Sequence, residues 1–277
     1  MANNTIKKST KIALLCIMII CAFLLFFLVR KNKVETTCTT RDYPQIEEDT
    51  LNIVTDYNPF GYFADGDTIS GFNHDVISLL QQYSSLKTKV HLNSDIHACI
   101  QGLQTHKYDI IFRNLPVTSL LKDSLAFSDP VIQNVDVLVQ RKQEYNDSIT
   151  PIRSHLDLAG KTIHIPAGSP SILRLNNLSK EIGDTIHYQQ DHLYNSAQLS
   201  MQVALGEIDY AVCDEYTVKK IAEIMPEIDY QTSIGFTHFE ALAIRKDSPV
   251  LLDSLNSWIE KIKQSEDFRK IRKKYFH

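Results

Sequence analysis

The sequence predicts an α/β fold built on mostly parallel sheets, and three observations carry that expectation. Short β-compatible runs at 51–55 (LNIVT), 90–92 (VHL) and 109–112 (DIIF) alternate with amphipathic stretches at 71–83 and 96–105, the rhythm of right-handed βαβ crossovers. The run ending at Phe112 is apolar on successive residues, as in a strand covered on both faces. The same alternation restarts after residue 155.

At 277 residues, with 43% hydrophobic and 22% charged content, the chain suits one large or two medium globular domains. Its beginning is different. After Lys7, Lys8 and Lys11, residues 12–29 are apolar throughout, and Arg30, Lys31 and Lys33 follow. A helix rises about 1.5 Å per residue, so a run of this length can just cross a bilayer core of about 30 Å. It ends Leu-Phe-Phe-Leu-Val-Arg without a small-residue cleavage site, which favours an uncleaved anchor over a signal peptide. Bulky Ile19 and Ile20 are the wrong context for lipidation at Cys21. With three basic residues on each side of the run, the positive-inside rule does not choose an orientation.

Six of the 29 Lys and Arg residues lie in 1–33 with no acid, so 23 basic residues face 33 acidic ones in the rest. That balance argues against a nucleic-acid partner. Residues 34–50 are Thr-rich and acidic without periodicity, which reads as a tether, with order expected from Leu51. Cys16 and Cys21 fall in the apolar run, leaving Cys38, Cys99 and Cys213 far apart, so buried inert thiols are expected. Neither these cysteines nor the ten scattered histidines show metal-ligand spacing, and no metal or cofactor is predicted.

In chain order, the strand at 51–55 leaves into an aromatic-rich turn, 56–63 (DYNPFGYF), and 65–67 (DGD) forms a tight turn. Gly71-Phe72-Asn73-His74-Asp75 opens a helix whose apolar face is Val76, Leu79, Leu80 and Tyr83. Ile96, Cys99, Ile100 and Leu103 share one face of the next helix. Beyond the strand at 109–112 come Asn114, Pro116 and Thr118, at the carboxyl end where ligand crevices form in open α/β sheets. A turn at 127–130 (FSDP) precedes the weakly alternating run 135–140.

The second half repeats the pattern. A helical turn from His155 and a Gly160-Lys161 corner lead into a strand, and Gly168, Ser169 and Ser171 then open an amphipathic helix. Gly168 permits close backbone approach, and either serine can cap the helix, leaving N–H groups at its positive end for an anion. After a helix at 196–205, Gly206 stops it, and a strand ends in Asp214 and Glu215. Asp214 at that place either contacts a ligand or caps the helix at 216–223. The run 240–245 (EALAIR) reads as a returning strand. Residues 249–276 form an amphipathic helix bearing Leu252, Leu255, Trp258, Ile259 and Ile262, then a shorter one whose basic run 269–274 is a solvated face.

Four motifs make this order familiar: Gly-Phe-x-x-Asp at 71–75, Thr118 before a short helix and Phe-Ser-x-Pro at 127–130, Gly-Ser at 168–169, and Gly-x-x-Asp-x-x-x-x-Asp at 206–214. They resemble the extracytoplasmic solute-binding proteins of the family that serves polar amino acid uptake. The chain is most similar there to the binding-protein-like module at the front of membrane-bound lytic murein transglycosylases, which Glu215 beside Asp214 echoes. The resemblance implies a two-lobed periplasmic-binding-protein fold of type II with two hinge strands, preceded by one N-terminal transmembrane helix. Its expected boundaries are a cytoplasmic tail at 1–11, an anchor at 12–29, a linker at 30–50, one lobe from 51–138 with 240–277, and the other at 139–239. The soluble part would face the periplasm from a single-pass anchor in the inner membrane.

By the same resemblance Phe60 or Tyr62 stacks on a ligand, with plugging of the lobe core as the alternative for either ring. Asn114, Pro116 and Thr118 offer polar groups, Gly168, Ser169 and Ser171 receive an anion, and Asp214 with Glu215 receives a cation. One departure stands out. Where amino-acid binders of the family carry an Arg three residues after the Thr, this chain has Leu121, and an alkyl chain cannot clamp a carboxylate as a guanidinium does. Arg113 is a neighbouring substitute. The expected function is therefore capture of a small polar ligand, amino-acid-like, a peptide or a cell-wall fragment, between two hinged lobes. A permease or a cell-wall enzyme is the expected protein partner. Rival readings are a non-transport sensor or regulatory module, a degenerate transglycosylase-type protein without its catalytic domain, and a small-molecule lyase acting through Asp214 and Glu215.

Overall fold

The computed structural model describes residues 41–113 and 115–276. The expected tail, the anchor, linker residues 30–40, Cys16, Cys21, Cys38 and Asn114 lie outside the described residues. Among the described residues no helix is long and apolar enough to cross a membrane.

Order begins before Leu51, which corrects the expected extent of the tether. Helix α1 (Tyr43–Glu47) is closed by a capping box between Asp42 and Gln45 and carries Pro44 in its first turn. It buries Ile46 completely and sets Tyr43 against Trp258, 5.9 Å between ring centres. A helix of one turn is too short to show periodicity, which is why this segment reads as a tether in the sequence.

The first sheet has the order β4-β1-β5-β14-β6, formed by β1 (Leu51–Thr55), β4 (Thr88–Leu92), β5 (Ile110–Ile111), β6 (Ala126–Phe127) and β14 (Ala243–Ile244). Strands β4, β1 and β5 are parallel, and β14 runs against both β5 and β6. A small hairpin of β2 (Phe63–Asp65) and β3 (Thr68–Ser70) precedes helix α2 (Phe72–Ser84). One face of the sheet packs Ile53 and Ile110 with Phe72, Val76 and Leu80 of α2 and Leu251, Leu255 and Ile259 of α8 (Pro249–Gln264). The other packs Val54 and Ile111 with Cys99 and Leu103 of α3 (Ile96–Gln104). Both faces are covered, which is why the Ile110-Ile111 pair does not alternate.

The carboxylate of fully buried Asp109 ties this lobe together. It accepts from Arg41 Nε at 2.8 Å, from Arg245 at 3.1 Å and from the Asn52 amide at 2.9 Å. A charge this deep is tolerated because its oxygens are fully engaged.

The second sheet has the order β10-β9-β11-β8-β12, formed by β8 (Asp136–Arg141), β9 (Thr162–Pro166), β10 (His187–Asp191), β11 (Ala211–Asp214) and β12 (Ile228–Ser233). Only β8 is antiparallel to its neighbours. Its residues alternate: Val137 and Val139 pack with Leu199 and Val203 of α6 (Ser196–Leu205) and with Val218 and Ile221 of α7 (Glu215–Ala222). Leu138 points the other way, to Ile163, Leu175 and Leu178, the last two on α5 (Ser171–Ile182).

The chain passes between sheets through two short strands, β7 (Ile132–Asn134) and β13 (His238–Glu240), which pair antiparallel with Asn134 opposite His238 and Ile132 opposite Glu240. The first crossing thus falls before residue 136, since β8 belongs wholly to the second sheet. Helix α4 (Ser119–Lys122) is a single turn, and the C-terminal α9 (Glu266–Tyr275) returns to the first lobe, where Tyr275 donates to Asp75 at 2.8 Å. Burial works against the Asp75 charge, but hydrogen bonds from His74, Tyr275 and Lys274 outweigh it and hold the carboxyl below its usual range.

Candidate functional site

Between the two sheets lies a cavity of about 90 Å³ lined from both lobes. At roughly 30 Å³ per water, it has room for a few waters or a small polar molecule. The first sheet contributes residues at the carboxyl ends of β1 and β5, namely Asp56, Asn58, Arg113, Leu115 and Pro116. The second contributes Pro166, Ala167, Ser169, Pro170 and Ser171 after β9, and Val212, Cys213 and Asp214 from β11. Asp136, His238 and Glu240 come from the crossing region. Strand ends of two sheets meeting at one crevice is the usual placement of ligands in open α/β sheets.

The charges are uneven. Four carboxyl groups, Asp56, Asp136, Asp214 and Glu240, line the cavity with one guanidinium and one imidazole, Arg113 and His238. Asp136 and Asp214 stand directly opposite each other across the β8–β11 pair, where like charges repel. Asn134 bridges the cluster, donating to Asp214 at 3.2 Å and to Glu240 at 2.8 Å. Burial lifts the Glu240 carboxyl to about 7, with repulsion from Asp214 adding to it and the bonds from His238 and Asn134 only partly offsetting it. Burial likewise raises Asp136, against the His238 charge and the Ser171 hydroxyl. Desolvation opposes the charge on His238, yet its bond to Glu240 and the nearby Asp136 raise its pKa. Burial also pushes the Cys213 thiol well up, with Asp214 adding to the effect, so it is held as the inert neutral form.

Arg113 is engaged inside its own lobe. It donates to the Ser94 carbonyl at 3.0 Å and lies 3.6 Å from one oxygen of Asp56. The other oxygen of Asp56 and the side-chain nitrogen of Asn58 are buried with no hydrogen-bond partner among the described residues, although the two residues are only 6% and 3% exposed. Buried polar atoms are nearly always satisfied, so unpaired ones on a cavity wall mark where a ligand group is expected.

Of the residues singled out from sequence, Pro116, Ser169, Ser171 and Asp214 come together on this wall. Asp214 takes the capping role foreseen for it, accepting from the Thr217 amide at 2.9 Å at the start of α7, and it also lines the cavity. The expectation that Phe60 stacks on a ligand is corrected. It is fully buried between Phe72 and Tyr216, with ring centres 5.5 and 5.2 Å away, so it plugs the core. Tyr62 packs its ring on His74 at 5.7 Å away from the cavity wall. Thr118 caps α4 through the Leu121 amide at 3.3 Å, and Glu215 begins α7; neither lines the cavity. Gly168 has φ +71°, and a Cβ there would run into the His97 ring of the other lobe, so its role is close lobe-to-lobe approach. Leu121 packs toward the core around Leu115 and Leu125. The anion seat expected at Ser169 and Ser171 faces a carboxylate of the chain itself, because Ser171 donates to Asp136 at 2.8 Å.

Sequence reasoning missed Asp56, Asn58, Asp136, His238 and Glu240. Asp56 had a signal, a charged residue immediately past the first strand. The others did not, since Asp136 and Glu240 each stand alone in an apolar run and meet only through tertiary pairing.

Comparison with known proteins agrees with this geometry. Residues 50–277 match the family of bacterial extracellular solute-binding proteins, family 3. The chain is 25% identical over 243 residues to membrane-bound lytic murein transglycosylase F of Shewanella pealeana, covering 87% of this chain and 47% of that one. It thus spans about half the length of the transglycosylases it matches. It is 23% identical to ABC transporter arginine-binding protein 1 of Escherichia coli, over 83% of this chain and 91% of the relative. Among solved structures, an ancestral arginine-binding protein bound to arginine superposes with a TM-score of 0.72 at 23% identity, covering 82% of this chain and 98% of that one. An ancestral amino acid-binding protein, a precursor of cyclohexadienyl dehydratase, superposes with a TM-score of 0.68 at 25% identity, covering 83% and 96%. These similarities support a two-lobed periplasmic-binding-protein architecture. On the extent of the family match, the chain belongs to the bacterial extracellular solute-binding proteins, family 3.

Proposed function

We propose that the chain captures a small polar ligand between its two lobes and releases it unchanged, while residues 12–29 hold it at the inner membrane with the binding module in the periplasm. The observation that carries this reading is the interlobe cavity with an unpaired, buried oxygen of Asp56 on its wall. A group held in that position by the fold costs stability unless a ligand completes it, which is what a binding site requires and a structural core does not. In this reading Pro116, Ser169, Ser171 and Asp214 touch the ligand. Hinge motion about β7 and β13 opens and closes the crevice.

The test is a thermal-shift screen of the full chain in detergent against amino acids, small amines and guanidines, dipeptides and muropeptides, repeated on Asp214→Ala. The expected outcome is a rise in Tm for one class that the variant loses. No shift for any class, or a shift indifferent to Asp214, overturns the reading. A second reading is an anchored sensor or accessory protein of cell-wall metabolism. It is favoured by the match to the transglycosylases over 87% of the chain, and it predicts that muropeptides form the responding class and that no permease co-purifies.

A further inference from the structure

We propose that the cavity takes a small organic cation, an alkylamine or a guanidine without a carboxylate, in preference to a zwitterionic amino acid. The inference rests on the capture reading above and names the class of ligand. Its first support is the charge balance of the wall, where four carboxyl groups face one guanidinium and one imidazole. Arg113 donates to the Ser94 carbonyl at 3.0 Å and lies 3.6 Å from Asp56, and His238 lies 3.7 Å from Glu240. Each cation among the described lining residues thus already sits beside a carboxyl group of the chain itself. Its second support is independent of the acid count: one oxygen of Asp56, in a residue 6% exposed, has no donor among the described residues. An oxygen of this kind accepts a hydrogen bond, and an ammonium or guanidinium N–H entering the cavity supplies one.

The remaining acids are placed for the same purpose. Asp136 and Asp214 stand opposite each other across β8 and β11 on the second lobe, while Asp56 follows β1 on the first. An ammonium or guanidinium between them contacts both lobes and relieves the repulsion between the cross-strand pair. An α-carboxylate brought in with it finds the Ser171 hydroxyl already given to Asp136. Asn58 supplies a neutral donor, which a hydroxyl or amide oxygen of the ligand satisfies.

Matched pairs that differ only in the carboxylate test the assignment: agmatine against arginine, and putrescine against ornithine, titrated calorimetrically into the full chain at neutral pH. The expected result is that the carboxylate-free member of at least one pair binds about tenfold or more tightly, the scale set by an unmatched desolvated charge. Asp136→Asn should erase that preference, and a circular-dichroism melt confirms that the variant is folded. If arginine or ornithine binds as tightly as its partner, and Asp214→Ala abolishes both, capture stands and the cation assignment falls. If neither pair binds while dipeptides or muropeptides do, the cation assignment falls in the same way and capture is kept. If no compound in the combined panel binds, the capture reading itself is lost and the inference goes with it.

Discussion

Glu240 shows how one residue can serve a site at the expense of the fold. Its carboxyl, raised from 4.5 to about 7 by burial first and by Asp214 second, holds its proton more tightly folded than unfolded. Stability from that proton is complete below the unfolded value and is lost as pH rises through about 7, a change on the order of 3 kcal/mol for this one group. Asp136 and His238, whose pKa values are also raised, push stability in the same direction. The wild-type Tm should therefore fall between pH 5 and 8. Glu240→Gln keeps an oxygen for Asn134 but cannot ionise, so its Tm should be flatter over that range and higher than wild type at pH 8. If the ligand is the cation proposed above, the same variant should bind agmatine or putrescine more weakly. A change that stabilises the protein and weakens binding marks a group retained for function, and a Glu240→Gln melt with the wild-type slope would remove this carboxyl from that role.

At the scale of elements, Asp42 joins two helices. Its carboxylate accepts from the Tyr43 amide at the start of α1, and also from the Val250 and Leu251 amides at 3.1 and 2.7 Å at the start of α8. Ser248, in the cap position of α8, makes no side-chain cap bond, so Asp42 takes over that duty from far earlier in the chain. Asp42→Ala removes both caps and should cost about 1–3 kcal/mol, while Asp42→Asn keeps most of the stability; urea unfolding of the two variants measures the difference. Neither the double cap nor the helix it anchors was legible, because one turn has no period and the second partner is remote. The βαβ units were legible for the opposite reason. Their apolar residues recur within a window of a dozen positions, as Val76, Leu79 and Leu80 do on α2, and the period survives whatever the tertiary context. The crossing strands fell between these cases: Ile132 and Glu240 pair across more than a hundred residues, so β7 could not be recognised without β13. The site followed the same division. Asp214 was visible as an acid at a strand end, whereas its cross-strand neighbour Asp136 looked like the polar member of an alternating strand.

For the whole molecule, the site exists only while the lobes meet, so the contacts between lobes away from the cavity set how readily it forms. Tyr216 of α7 stacks on Phe60 at 5.2 Å and meets Phe276 edge-on at 4.7 Å, joining the second lobe to the core of the first. Asn195, the cap of α6, donates to the Tyr57 carbonyl at 3.1 Å across the same divide. Aromatic pairs of this kind contribute about 0.5–1.5 kcal/mol each beyond the area they bury. Tyr216 lies outside the cavity wall, so its effect on a ligand passes through closure alone: the affinity of a two-lobed binder scales with the fraction of molecules able to close. Tyr216→Ala should then weaken every ligand of this protein by a similar factor, about tenfold for two lost ring contacts, without altering the order of preference among them. Small-angle scattering should show a larger radius of gyration for the variant at subsaturating ligand. A substitution on the wall such as Asp136→Asn should do the reverse, changing which ligand is preferred while leaving the scattering of the saturated protein unchanged. If Tyr216→Ala altered preference among ligands instead, the aromatic junction would belong to the recognition surface and the division between closing contacts and reading contacts would not hold.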